Sequence, residues 1–115
     1  KPISLYDNST GTNGTVTLSQ TASNFTYLEI FYKISQTETS YKSVKIYSPN
    51  GKYVNLEAVL RSSNQTVNYI FSAIYSISGT TMTLKWAGRS YFYNDSKNSI
   101  STDNGINIVK VVRWK

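Results

Sequence analysis

The stretch from Trp86 to Asp95 holds the densest set of side chains suited to recognising a ligand. It reads Trp-Ala-Gly-Arg-Ser-Tyr-Phe-Tyr-Asn-Asp, with a bend expected at Gly88. Aromatic rings stack on the apolar face of a saccharide, while Arg, Asn and Asp supply paired hydrogen bonds to its hydroxyl groups. These residue types predict a sugar-binding surface.

The alternation of side chains divides this stretch between core and surface. Met82, Leu84 and Trp86 share one strand face, which favours a buried position for Trp86. If Phe92 is buried, Arg89, Tyr91 and Tyr93 point outward, where they can contact a ligand. The alternative role for these side chains is cross-strand packing. The candidate ligand-binding residues are Arg89, Tyr91, Tyr93, Asn94, Asp95 and Tyr41, with the 96–105 loop as a neighbour.

The chain lacks the usual equipment for catalysis. It has no cysteine and no histidine, which excludes a Cys nucleophile, a His base, a Ser-His-Asp triad and a Cys/His zinc site. A glycosidase needs two carboxylates that face each other across a cleft. The six carboxylates are scattered, at Asp7, Glu29, Glu38, Glu57, Asp95 and Asp103. We predict no catalytic residue, no cofactor and no metal site, and a small glycosidase is the least favoured alternative.

The charge balance indicates a partner class. Lys and Arg number 12 against 6 Asp and Glu, which gives a formal net charge of +6. The basic residues are dispersed and no recognition helix is predicted, so nucleic acid is not an expected partner. A dispersed positive field attracts anionic polymers over a distance. The charge alone does not identify the polymer; the expected ligand is a bacterial cell-surface saccharide or a polymer like teichoic acid.

Length and composition predict one β domain. A chain of 115 residues supports a single hydrophobic core, so residues 1–115 form one domain. Val, Ile, Thr and aromatic residues are frequent, as in strands. No apolar run is long enough to span a membrane, so no membrane insertion is expected. The start, Lys1 to Ser4, lacks an initiator Met and an apolar signal segment, which indicates a fragment of a longer chain or a processed chain.

Segments with period-two patterning follow one another at short spacing and predict eight or nine strands. The fold class is all-β, a single antiparallel β-sandwich or jelly roll without helices. In the strand at residues 27–34, the even-numbered residues form the core side: Leu28, Ile30, Tyr32 and Ile34. Hairpins are predicted at Ser48–Gly51 and Ile77–Thr81, and loops at 9–14, 36–40 and 96–105.

Apolar side chains also fall on faces opposite the core. Ile70 and Ile74 lie opposite an apolar strand face, and Tyr27, Phe31 and Tyr47 lie opposite the aliphatic sides of their strands. Such outer faces predict a subunit interface. Ordinary surface exposure of tyrosine and isoleucine is the alternative.

Strand and turn patterns carry a family resemblance. Three runs come first along the chain: Leu5–Gly11 (LYDNSTG), Gly14–Ser19 (GTVTLS) and Asn24–Lys33 (NFTYLEIFYK). The turn-forming run Tyr75–Gly79 (YSISG) and the closing strand Ile106–Lys115 (INIVKVVRWK) follow. This order resembles the distal domains of phage and prophage minor tail proteins over most of the chain. These motifs contain no chemical signature, so no functional residue is carried over.

The resemblance implies a tail fibre or baseplate receptor-binding domain. Proteins of this kind are typically trimers whose distal domains bind the host surface, which implies a non-catalytic role, a homotrimer and a place at the tail tip of the virion. The main alternative is a carbohydrate-binding module of a secreted bacterial protein.

Overall fold

A computed structural model describes residues 2–34, 41–61, 67–93 and 98–114; for Arg61, Val67, Phe92, Tyr93, Asn98 and Ser99 it describes the backbone alone. The strands are β1 (Ile3–Thr12), β2 (Val16–Thr17), β3 (Tyr27–Ile34), β4 (Lys42–Tyr47), β5 (Tyr53–Arg61), β6 (Val67–Ser78), β7 (Thr81–Tyr93), β8 (Asn98–Ser101) and β9 (Ile106–Trp114). One 3₁₀ turn, Ala22–Asn24, lies between β2 and β3. The predicted all-β fold is confirmed.

The strands form two antiparallel sheets that enclose the core. Sheet A has the order β1-β9-β3-β4, and sheet B has the order β2-β7-β6-β5, with β8 paired to the end of β7. Alternate residues of β3 and β6 supply much of the core, as the periodicity predicts. The buried members from these two strands are Leu28, Ile30, Tyr32, Ile34, Phe71, Ala73, Tyr75 and Ile77.

Tyr75 is the largest fully buried side chain and joins the sheets to the loop after β1. Its hydroxyl group donates a hydrogen bond of 3.0 Å to the carbonyl oxygen of Gly14. Burial raises the pKa of Tyr75 to about 12, because the phenolate form would lose its hydration. At physiological pH the phenol is therefore neutral, and its O–H group has a hydrogen-bond partner inside the core.

One predicted hairpin is wrong. Ser48–Gly51 does not join paired strands: β4 pairs with β3 in sheet A, and β5 pairs with β6 in sheet B. The turn instead carries the chain from one sheet to the other, with positive φ at Ser48 (46°) and Gly51 (83°). Local turn chemistry is the same in both cases, so it does not reveal which strands pair. The β6–β7 hairpin at Ile77–Thr81 is confirmed.

Two of the predicted loops are shorter than expected. Ser9 to Thr12 belong to β1, so only residues 13–15 link β1 to β2. Within the predicted 96–105 loop, Asn98–Ser101 form β8 and pair with β7. The predicted 36–40 loop lies outside the described residues.

A β-bulge in β7 changes which side chains face the core. Ile74 pairs with Trp86 but Tyr75 pairs with Leu84, so Lys85 is an extra residue on β7. An extra residue reverses the alternation beyond it. Met82 is fully buried, whereas Trp86 is 51% exposed on the outer face. The predicted core position of Trp86 is wrong for this reason.

Within the described ranges, no helix has the length and apolar character needed to cross a membrane.

Candidate functional site

The β7 bulge also places Arg89 and Tyr91 on the core-facing side of sheet B. Arg89 pairs across the strands with the buried Phe71, and Tyr91 pairs with Tyr69. The outward direction expected for Arg89 and Tyr91 is therefore wrong. Both are half-buried. They lie at the end of the sandwich where β6 begins and β7 ends.

Arg89 already has partners in this region. Its guanidinium forms an ion pair of 2.9 Å with Asp103, so the 96–105 segment does neighbour Arg89, as predicted. The guanidinium carbon lies 5.2 Å from the ring centroid of Tyr91 and 5.9 Å from that of Phe71. These contacts join the segment before β9 to β7, and the ion pair uses one guanidinium nitrogen, Nη2.

Tyr91 packs edge-on against Tyr69, with ring centroids 5.0 Å apart. Such a pair stabilises a sheet through cross-strand packing. The side chain of Tyr93, and both Asn94 and Asp95, lie outside the described residues. A ligand-binding role for this cluster stays a prediction.

Tyr41 belongs to a different surface. It precedes β4 and lines a groove on the outer face of sheet A, and it is 53% exposed. This outer groove has a volume of about 450 Å³. Its lining residues are Pro2, Asp7, Ser9, Phe31, Tyr41, Val109, Lys110, Val112 and Trp114. Six of these are apolar or aromatic, and the polar groups are few.

A row of three aromatic residues extends the outer groove across the sheet. Tyr27 on β3 lies opposite both Tyr47 on β4 and Trp114 on β9. The rings of Tyr27 and Tyr47 are 4.9 Å apart, and those of Tyr27 and Trp114 are nearly parallel at 6.2 Å. Tyr47 is 60% exposed. We call Tyr27, Tyr47 and Trp114 the aromatic row; its Trp114 end forms part of the groove wall.

Charged neighbours hold the aromatic row in place. The indole Nε1–H of Trp114 donates a hydrogen bond of 3.1 Å to Glu29 Oε1. Lys45 pairs with Glu29 in register, yet its ammonium lies over the rings of Tyr27 (5.6 Å) and Trp114 (5.9 Å). Ring faces attract cations in this way. The rings are thus oriented before any ligand arrives, which lowers the entropy cost of binding.

The end of the groove near Ser9 rests on a buried polar pair. Lys33 and Asn107 are partners across β3 and β9, and only 5% and 3% of their surfaces are exposed. The Lys33 ammonium donates to the carbonyl oxygen of Ser9 at 3.1 Å. The irregular part of β1 between Asp7 and Thr12 therefore packs over this pair and shapes the groove wall.

The sequence predicts part of this surface, but as a subunit interface and not as a ligand site. The alternation within single strands predicts Tyr27, Phe31 and Tyr47 on outer faces, as a subunit interface, and the structure places them on the outer side of sheet A. Lys45 and Trp114 were not singled out. Their proximity depends on the order β9-β3-β4, which periodicity within single strands does not contain.

Comparisons with known proteins find no family. No protein-family model matches the chain, and no curated protein matches it. The described residues contain no group of three or more acidic side chains able to hold a metal ion.

Proposed function

We propose that this domain is a non-catalytic attachment module that binds a bacterial surface saccharide in the outer groove. The observation that carries the proposal is the continuity of the groove with the oriented aromatic row. Stacking surfaces beside a few hydrogen-bonding groups are the general design of saccharide sites.

The groove has suitable size and chemistry for a sugar. Small-molecule sites have volumes of roughly 300–1,000 Å³, and about 450 Å³ accommodates a short oligosaccharide segment. Trp114 and Phe31 offer apolar walls, while Asp7 and Ser9 offer hydrogen-bond acceptors, and Ser9 also a donor. These polar groups would fix the orientation of a ring that stacks on the wall.

Cations favour an anionic saccharide or envelope polymer. Lys110 lines the groove and is exposed, and Lys45 stands over the aromatic row. In the described part of the chain neither lysine has an ion-pair partner, since the ion pair found there joins Arg89 to Asp103. A carboxylate or phosphate on the sugar would form a charge-assisted hydrogen bond with either ammonium, in competition with Asp7 and Glu29, which are the register partners of Lys110 and Lys45. The net charge of +6 adds attraction over a longer range.

The biological setting of the proposal is the tip of a phage tail. The resemblance to minor tail proteins supports a receptor-binding domain of a fibre or baseplate protein. A carbohydrate-binding module of a secreted bacterial protein would use the same groove, so the groove does not separate the two settings. The domains that accompany this one in its parent polypeptide would separate them.

Tyr47→Ala tests the proposal with little risk to the fold, because 60% of Tyr47 is exposed. We expect adsorption of the domain to purified cell-surface polysaccharide or teichoic acid to weaken about tenfold, since one stacking ring is lost. Tyr53→Ala is the matched control: Tyr53 is 64% exposed on sheet B, and adsorption should be unchanged.

A third variant separates this site from the cluster predicted on β7. If Tyr91→Ala abolishes adsorption in a folded domain while Tyr47→Ala has no effect, the ligand binds beside Arg89 and the groove proposal is wrong. Failure of the native domain to bind any surface polysaccharide or teichoic acid would contradict the attachment function itself. Circular dichroism establishes that each variant is folded.

A further inference from the structure

Acidic and basic side chains stand side by side on the outer face of sheet A. Asp7 of β1 is in register with Lys110 of β9, and both are exposed and line the outer groove. Glu29 of β3 is in register with Lys45 of β4. Directly opposed residues on antiparallel strands have Cβ atoms about 5 Å apart. The groove and the aromatic row therefore present both signs of charge to a ligand.

Neither of these two pairs closes into an ion pair in the described part of the chain. Glu29 accepts the indole N–H of Trp114 at 3.1 Å, and the Lys45 ammonium lies over aromatic rings. Asp7 and Lys110 keep their charged groups exposed at the groove. A molecule bound in the groove can therefore contact an acid and a base at once.

Lysines of the chain itself occupy the ring faces that would attract a cation. The Lys45 ammonium lies 5.6 Å from the ring centroid of Tyr27, and the Lys33 ammonium lies 5.9 Å from that of Tyr41. Ring faces hold cations in this way. A cation on the ligand therefore finds its strongest partner in the carboxylate of Asp7, the acidic residue of the groove lining.

One cross-strand row gathers the groups that a charged sugar repeat needs. Lys110 of β9 is in register with Asp7 on one side and with Phe31 of β3 on the other, and all three line the groove. Neighbouring strands are about 4.8 Å apart, so the row places a carboxylate, an ammonium and a ring within about 10 Å. The order of partners across the groove is then cation, anion and apolar ring face.

A purely anionic ligand gains less from this row than a ligand with both charges. Coulomb energy falls only inversely with distance, so Asp7 repels a phosphate bound to Lys110 and offsets a large share of the attraction. A ligand with an ammonium group beside its phosphate satisfies both side chains. The net charge of +6 still attracts polyanions over a longer range, while the local pair of opposite charges selects among them.

We propose that the outer groove recognises a zwitterionic repeat, a phosphodiester polymer whose sugar or polyol also carries an ammonium group. The ammonium lies beside Asp7, the phosphate beside Lys110, and the adjoining sugar or polyol against Phe31 and Trp114. This inference rests on the proposed function, because it names the chemistry of the ligand in the same groove.

Blocking the amines of one polymer tests the zwitterionic ligand directly. The probe is purified teichoic acid that carries amino groups, compared by titration calorimetry with the same polymer after N-acetylation, which removes the positive charges and keeps the phosphates. We expect the acetylated polymer to bind about tenfold more weakly, since one charge-assisted hydrogen bond is lost. General attraction to a chain of +6 predicts the opposite, because the acetylated polymer is more negative. Equal or tighter binding of the acetylated polymer overturns the proposal.

A second treatment identifies which group carries the ammonium. Mild alkali removes aminoacyl esters from the polymer and leaves amino sugars in place. A loss of binding after alkali that equals the loss after acetylation assigns the ammonium to an aminoacyl ester. A loss after acetylation alone assigns it to an amino sugar. Both results support the proposal.

Asp7→Asn removes the acid with almost no change of shape at an exposed position. The native polymer should then bind about tenfold more weakly and the acetylated polymer no more weakly, so the preference disappears. Lys110→Gln should weaken the binding of both forms. Glu57→Gln is the matched control, because it neutralises an exposed carboxylate on sheet B and should keep the preference. A preference that survives Asp7→Asn overturns the proposal.

The zwitterionic ligand and the proposed function fail in different ways. If both forms of the polymer bind equally and Tyr47→Ala weakens both, saccharide binding in the groove stands and the zwitterionic ligand is wrong. If neither form binds, the zwitterionic ligand is also wrong, and adsorption to a neutral surface polysaccharide then decides whether the domain is an attachment module.

Discussion

Gly11→Ala is expected to lower the free energy of unfolding by about 2–4 kcal/mol, through backbone strain and a steric clash together. Gly11 has φ of 102°, a region that residues with a Cβ rarely adopt. A Cβ built there would also lie 2.7 Å from the Cβ of Asn107. Asn107 is 3% exposed, and its Cβ is fixed to the backbone, so it cannot move aside.

Urea denaturation followed by circular dichroism measures this loss. Gly14→Ala is the matched control, in the loop that directly follows β1, because a Cβ at Gly14 meets nothing within 4 Å. We expect that variant to stay within about 0.5 kcal/mol of the native domain. Equal stability of the Gly11 and Gly14 variants would contradict the close packing of β1 over Asn107.

Trp114→Ala is expected to cost the largest share of saccharide binding, about 2–3 kcal/mol, or roughly thirtyfold or more in Kd. Trp114 is both a wall of the outer groove and the end of the aromatic row. Its removal also leaves the Glu29 carboxylate without its indole N–H donor, so a hydrogen bond that orients the groove wall is lost together with the ring.

Trp86→Ala is the control for that loss, since Trp86 is the other tryptophan and lies on sheet B. Affinity should be measured with a soluble oligosaccharide, so that avidity from any assembly does not enter. Unchanged affinity after Trp86→Ala and a large loss after Trp114→Ala are the expected pair of results. The reverse pattern would transfer the site to the outer face of sheet B, where Trp86 lies.

The sequence predicts the fold class well because burial follows strand periodicity. The alternation in β3 and β6 identifies their core residues, and Ile70 is correctly assigned to an outer face. For the side-chain directions in β7, the prediction fails at a single inserted residue. Lys85 forms a bulge in β7, and the residues around it contain no sequence pattern that predicts a bulge. That bulge alone explains why Trp86 is exposed and why Arg89 and Tyr91 face inward.

The candidate site was less predictable because it is built across strands. Tyr27, Tyr47 and Trp114 are distant in sequence and meet only because β9, β3 and β4 are neighbours. Sequence reasoning favoured the run near Arg89, where polar and aromatic residues are contiguous. The structure shows Arg89 paired with Asp103. Contiguity along the chain does not reveal a surface that three separate strands create, and the ligand-binding role of the cluster near Arg89 stays a prediction.

One measurement tests saccharide binding in the outer groove most directly. The chain has two tryptophans, so a ¹⁵N–¹H correlation spectrum contains two indole signals, and Trp86→Ala assigns them. Titration with a soluble fragment of the polysaccharide that the domain adsorbs should shift the Trp114 signal, whose N–H donates to Glu29, and leave the Trp86 signal in place. A saturating fragment that leaves the Trp114 signal unmoved would contradict binding in the outer groove.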